Sequence, residues 1–119
     1  MKRSPDISIC LVALNACDYL YSCLVSIQKN QPKSSIEIII SDNHSTDGTL
    51  KMLAEEFPEV KVIRNATNGG FAKPANLAIR ESRGRYVLLL NPDTVVHGNA
   101  LDTLVEYLDT HPEAGIVGP

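Results

Sequence analysis

Apolar runs of strand length alternate with apolar stripes of helical spacing along this chain, and no other feature limits its fold so tightly. Ile7 to Leu14 is a nearly continuous apolar run ended by Asn15, the pattern of a strand buried on both faces of a parallel sheet. Leu20, Cys23, Leu24 and Ile27 then recur at i, i+3, i+4 and i+7, which predicts an amphipathic helix closed by Pro32. Ile36 to Ser41 is a second apolar strand. Leu50, Leu53, Ala54 and Phe57 repeat the helical spacing as far as Pro58, and Val60 to Ile63 reads as a shorter strand. A Gly-rich bend leads to Pro74, placed at a first helical turn, and to a short helix running toward Gly84. Tyr86 to Leu90 is the fourth strand. Asn99 is positioned to cap a last helix with Leu101, Leu104, Val105 and Leu108 on its buried face, and Gly115 to Pro119 resembles the start of another strand.

This alternation predicts an α/β fold: an open, mostly parallel sheet with helices on both faces and right-handed crossovers. With 119 residues and 44% hydrophobic content the chain suffices for one compact unit and not two. Fourteen acidic against eleven basic residues give a net charge of −3 and no basic face for a phosphate backbone, so nucleic acid is excluded as a partner class. The longest purely apolar run, Ile9 to Leu14, falls far short of the ~18 to 20 residues of a membrane helix, and Met-Lys-Arg is followed by Ser-Pro-Asp instead of an apolar signal core. The expectation is a soluble, cytoplasmic domain, with peripheral association at the cytoplasmic membrane face open to a longer protein. Cys10, Cys17 and Cys23 lack the paired short spacings of a zinc site and read as reduced thiols.

In open α/β sheets ligands bind outside the carboxyl ends of the strands, which here end in Asn15, Asp42-Asn43, Arg64-Asn65 and Asn91-Pro92-Asp93. The first strand-to-helix turn, Asn15-Ala16-Cys17-Asp18, lacks the Gly-rich fingerprint of a dinucleotide site, and no Walker A loop occurs. Phosphates must be held otherwise, and a divalent cation is the natural substitute. Asp93, with Asn91 two residues earlier, offers hard oxygen ligands to Mg²⁺ or Mn²⁺; equally, Asn91-Pro92-Asp93 are all turn formers. Asp42 is placed to accept a hydrogen bond from the imide N–H of uracil or thymine. Asp47 and Thr49 read as helix N-terminal residues that satisfy free backbone N–H groups. His44 and His97 read as solvated loop histidines, and His111, at a helix end, as a partner for exposed carbonyls.

Five ordered motifs carry a family resemblance: Ile7 to Asn15, Ser41-Asp42-Asn43-His44-Ser45-Thr46-Asp47-Gly48-Thr49, Asn68-Gly69-Gly70-Phe71-Ala72 with Asn76, Gly84 to Thr94, and Gly115 to Pro119. Together they resemble the family 2 glycosyltransferases, and within them the rhamnosyltransferase-like branch. The resemblance implies a GT-A fold, here its nucleotide-sugar-binding portion over residues 1–119, and an inverting glycosyltransferase of cell-surface polysaccharide or glycan synthesis. It implies that Asp42 contacts the base, with Asn15 and Asn43 beside the nucleotide, that Gly70 and the loop through Asn76 lie against ribose and diphosphate, and that Asp93, with Asn91 near it, ends the metal motif. A UDP- or dTDP-linked donor is favoured over a GDP-linked one. The glycan or lipid-linked acceptor and the general base are expected to engage residues beyond Pro119, so that these residues alone bind donor without transferring it, and the open sheet edge offers a surface for self-association. Two departures stand out. Ala13-Leu14-Asn15 replaces a polar-aromatic sequence, and Asn91 replaces an Asp, removing a formal charge, so cation and nucleotide are expected to bind together. A donor-binding module without catalysis and a sugar nucleotidyltransferase on a related fold are the competing readings; the second would call for a basic Gly-rich loop after the first strand.

Overall fold

The computed structural model describes residues 4–118. Strands and helices alternate four times: β1 (Ile7–Ala13), α1 (Cys17–Lys29), β2 (Ile36–Asp42), α2 (Thr49–Glu56), β3 (Lys61–Arg64), α3 (Ala72–Glu81), β4 (Tyr86–Leu89) and α4 (Ala100–Thr110). The strands form one wholly parallel sheet in the order β3-β2-β1-β4. The chain thus builds outward from β1 through β2 to β3, then crosses back to place β4 on the other side of β1. The strand order reverses between β1 and β4, and the carboxyl edge there is where such sheets open a binding crevice.

The register explains the burial. Ile7, Ile9, Leu11 and Ala13 of β1 lie on one face with Ile36, Ile38 and Ile40 of β2, and Leu20, Leu24 and Ile27 of α1, Leu53 of α2, and Leu101 and Val105 of α4 pack onto that face. The opposite face has a smaller cluster, Cys10, Ile39 and Ala78 with Ile63, covered by α3. Three helices therefore lie on one side of the sheet and one on the other. Beyond the reach of α3, Val87 and Leu89 of β4 are about half exposed on that second face. Cys10, Cys17 and Cys23 are all free thiols, and burial together with the Glu37 charge pushes Cys10 up to about 11.

Three expectations are corrected. Ala54 is exposed; the inward positions around α2 are Leu53, Thr49 and Phe57, the last just past the helix end. Asn99 does occupy the N-cap of α4, but its side chain makes no capping bond, and its carbonyl accepts from Thr103 instead. Residues 115–118 form no strand, and Pro119 lies outside the described residues. Ile116 is 94% exposed, and Gly115 to Val117 line a cleft of about 320 Å³ against β4 and α4. Apolar composition alone makes no strand, because a strand also needs a neighbour to share its ladder.

Candidate functional site

The loops after β1 and β2 interlock. Asn15 adopts a left-handed backbone, φ 47°, which brings its side chain back over the second loop. Its Oδ1 accepts from the N–H groups of Thr46 at 2.7 Å and Asp47 at 3.2 Å, and its own N–H donates to Ser45 Oγ at 3.0 Å. Ser45 in turn donates to Asp42 from both N–H and hydroxyl. Asp42, the last residue of β2, is 1% exposed, with its carbonyl accepting from Asn65 N–H.

Asp47 serves both helices that start here. One carboxylate oxygen accepts from Thr49 N–H and hydroxyl at the head of α2, and the other from Cys17 N–H at the head of α1. Burial pushes its carboxyl upward, but these hydrogen bonds outweigh it and hold the group below its ordinary value. The capping role expected for Asp47 is present. Thr49 departs from the capping role expected of it: fully buried, it donates to Asp47 from both its N–H and its hydroxyl.

Asn43 continues the rim. Its N–H donates to Ala13 O at 2.8 Å, which extends the ladder between β1 and β2 by one residue. Its side chain reaches the Gly-rich loop, where Nδ2 donates to Gly70 O at 2.6 Å and Oδ1 accepts from Gly69 N–H at 3.1 Å. Gly70 has φ 78°, a conformation that favours glycine. Asn43, Asn65, Gly69, Lys73 and Pro74 line a cleft of about 190 Å³ beside this loop, and Asn76 is exposed one turn into α3.

The loop after β4 is a separate piece of the same edge. Leu90 N–H still donates to Cys10 O, and then Thr94 closes a turn on the Asn91 carbonyl through both its N–H and its hydroxyl. The turn reading of Asn91-Pro92-Asp93 is thus met, and it leaves Asn91 and Asp93 exposed. Ser26 of α1 anchors the end of this loop by accepting from Val96 N–H, while Asn30 donates to Val96 O. His44 and His97 are exposed, and His111 stacks on Tyr107, with its Nδ1 2.8 Å from the Tyr107 carbonyl oxygen.

The folded chain therefore links Asn15 to Asp42 through Ser45, and Asn43, the next residue along the chain, to Gly70, in one rim, with Asn91 and Asp93 in the loop across the β1/β4 junction and Asn76 on α3. Sequence reasoning missed Ser45, the hub of that rim. Its signal was present in the Asp42-x-x-Ser45 spacing, at which a carboxylate commonly accepts from backbone three residues on. Among the described residues no three His, Cys, Asp or Glu side chains come together to hold a metal. A cation here would rest on Asp93, with Asn91 as a neutral oxygen donor. That donor set suits a hard ion whose other ligands arrive with a diphosphate. No described helix is long and apolar enough to cross a membrane.

Comparison with known proteins matches residues 8–119 to the family model for glycosyl transferase family 2. Escherichia coli chondroitin synthase is 33% identical over 109 residues, 89% of this chain and 16% of that protein. Staphylococcus aureus poly(ribitol-phosphate) beta-N-acetylglucosaminyltransferase TarS is 30% identical over 108 residues, 87% of this chain and 19% of that protein. The crystal structure of TarS 1–349 in complex with UDP-GlcNAc superposes with a TM-score of 0.80 at 29% identity, covering 90% of this chain and 32% of that one. A mannosyltransferase from Pyrobaculum calidifontis, in complex with GDP-Man and Mn²⁺, matches with a TM-score of 0.76 at 23% identity, covering 90% of this chain and 33% of that one, a likeness of fold alone. The chain thus spans less than a fifth of either curated relative's length.

Proposed function

Because this chain belongs to glycosyl transferase family 2, we propose that it forms the donor site of an inverting, cytoplasmic glycosyltransferase that takes a nucleotide-diphosphate sugar for polysaccharide or glycan synthesis. Within the family, the five ordered motifs from Ile7 to Pro119 support the rhamnosyltransferase-like branch. The observation that carries the donor-site reading is the continuous rim from Asn15 through Ser45, Asp42 and Asn43 to Gly70, at the carboxyl edge of a parallel sheet.

In this reading Asp42 recognises the base. Each carboxylate oxygen has two lone pairs, so bonds to Ser45 leave acceptor capacity for the imide N–H of uracil or thymine. Guanine carries an analogous ring N–H on a larger ring system, so the titration below compares GDP with the pyrimidine nucleotides. Gly70 lets backbone approach the ribose and diphosphate, with Asn76 and Asn91 flanking them. Asp93 would hold a Mg²⁺ or Mn²⁺ ion, which stabilises charge on the departing diphosphate when bound. The acceptor surface and the general base are assigned to residues outside these 119. TarS, which resembles this chain over the same stretch, is crystallised with UDP-GlcNAc, and this supports a uridine donor.

Calorimetric titration with UDP, dTDP and GDP, each with and without Mg²⁺ or Mn²⁺, tests the reading. The expected outcome is metal-dependent binding of UDP or dTDP that Asp42→Ala abolishes. Equal affinity for GDP would remove Asp42 from base selection, and no binding of any nucleotide would overturn the donor site.

A further inference from the structure

We propose that Asn43 is a positioning residue: its buried side-chain amide holds the Gly69–Gly70 backbone against the sheet edge, and donor affinity depends on that hold instead of on contact between Asn43 and nucleotide. The proposal rests on the donor-site reading above and deepens it.

Asn43 is 3% exposed, and its side chain is turned onto the Gly-rich loop. Both ends of its amide are already used, Nδ2 on Gly70 O and Oδ1 on Gly69 N–H, across 27 and 26 residues of sequence. Its backbone is fixed in turn by the bond to Ala13 O, so the loop is referred directly to the central strand. Residues 66–73 are all exposed, and burial therefore does little to hold them. The remaining restraints near the glycines are local: Asn68 Oδ1 accepts from Gly70 N–H, and Ala75 N–H closes on Phe71 O as α3 begins. Nothing lies within 4 Å of where a Gly70 Cβ would sit, so its φ of 78° is not imposed by crowding. An amide that accepts from Gly69 N–H and donates to the Gly70 carbonyl clamps the two peptide groups that flank the Gly69–Gly70 linkage. A carboxylate cannot do this, since it has no proton for the Gly70 carbonyl.

That difference supplies the test. Asn43→Ala removes both bonds. Asn43→Asp keeps the shape and the acceptor for Gly69, but sets an oxygen against the Gly70 carbonyl until the introduced carboxyl is protonated and can donate again. Hydrogen exchange of residues 66–72 and calorimetric affinity for UDP with Mn²⁺ are measured at pH 7.5 and 5.5, each variant relative to the unmodified chain. At pH 7.5 both variants should lose loop protection and bind UDP about tenfold more weakly, the order expected for one or two neutral hydrogen bonds. Burial and the facing Gly70 carbonyl favour the neutral form of the introduced carboxyl, so at pH 5.5 Asn43→Asp should recover on both measures while Asn43→Ala does not. A merely structural role would show the same recovery of loop protection with UDP affinity unchanged at either pH. Unchanged exchange in residues 66–72 overturns the hold itself. A loosened loop with UDP affinity within twofold overturns its role in binding while leaving the donor-site reading intact. Absence of UDP binding by the unmodified chain overturns that reading and the binding half of the proposal with it. If Asn43→Ala fails to fold, as exchange over β1 and β2 reports, the pH response of Asn43→Asp decides alone.

Discussion

Ser45 donates to both carboxylate oxygens of Asp42, from its N–H at 2.9 Å and from its hydroxyl at 2.6 Å. Two bonds from one residue leave the carboxylate a single orientation at the end of β2. The same hydroxyl accepts from Asn15 N–H, so the loop after β1 is tied to the group assigned to the base. Ser45→Ala removes the hydroxyl and both of its bonds but keeps the backbone donor. It should cost about 1 to 2 kcal/mol of stability, read from denaturant midpoints, and weaken UDP binding measurably. Unaltered UDP affinity would mean that Asp42 needs no such orientation.

Asp93 is exposed in its turn and should contribute little to stability. Asp93→Asn is expected to change stability by no more than a surface substitution does, about 0.5 kcal/mol or less, as thermal unfolding reads. It should nonetheless abolish any enhancement of nucleotide affinity by Mn²⁺. Calorimetry without nucleotide should detect no tight Mn²⁺ binding to the unmodified chain, since Asn91 supplies no charge; tight binding of the free ion would contradict the shared-ligand reading.

At the opposite edge of the sheet Glu37 joins three segments. It accepts from Ser8 hydroxyl and Arg83 N–H, and it pairs with the Arg83 guanidinium. Burial would raise its carboxyl, but these partners hold it below its ordinary value near 4.5. A folded-state pKa below the unfolded one means stability that is complete above the unfolded value and is lost as pH falls through the folded one. Glu37→Gln should therefore destabilise by about 1 to 2 kcal/mol at pH 7, and the gap between variant and parent should narrow as pH falls through the lowered folded-state value. Urea titrations at pH 7 and pH 3.5 measure it, and a gap that persists at acid pH would assign the effect to packing.

Alanine should destabilise at two glycines, to different degrees and for different reasons. At Gly84 a Cβ would stand 2.5 Å from Ser8 N and 2.6 Å from Ser8 Oγ, so β1 itself must move. Gly84→Ala should cost roughly 3 kcal/mol, as overpacking against backbone does. At Gly70 there is space, and only the left-handed backbone resists, so Gly70→Ala should cost about 1 to 2 kcal/mol. Denaturant midpoints that rank the pair the other way would contradict the close approach of Gly84 to β1.

Much of this molecule was legible in its sequence. Apolar spacing is a local property that each strand or helix must satisfy to bury one face, so the eight elements and the carboxyl edge with Asn15, Asp42, Asn43, Asn91 and Asp93 could be read residue by residue. Pairing between distant segments leaves no such periodic mark. Only the tertiary structure set the order β3-β2-β1-β4, put three helices on one face, left residues 115–118 out of the sheet, and made Ser45 and Asn43 the links of the rim. Those links span from three to thirty residues, and whether a polar side chain meets a ligand or another loop depends on which groups the folded backbone leaves within about 3 Å of it.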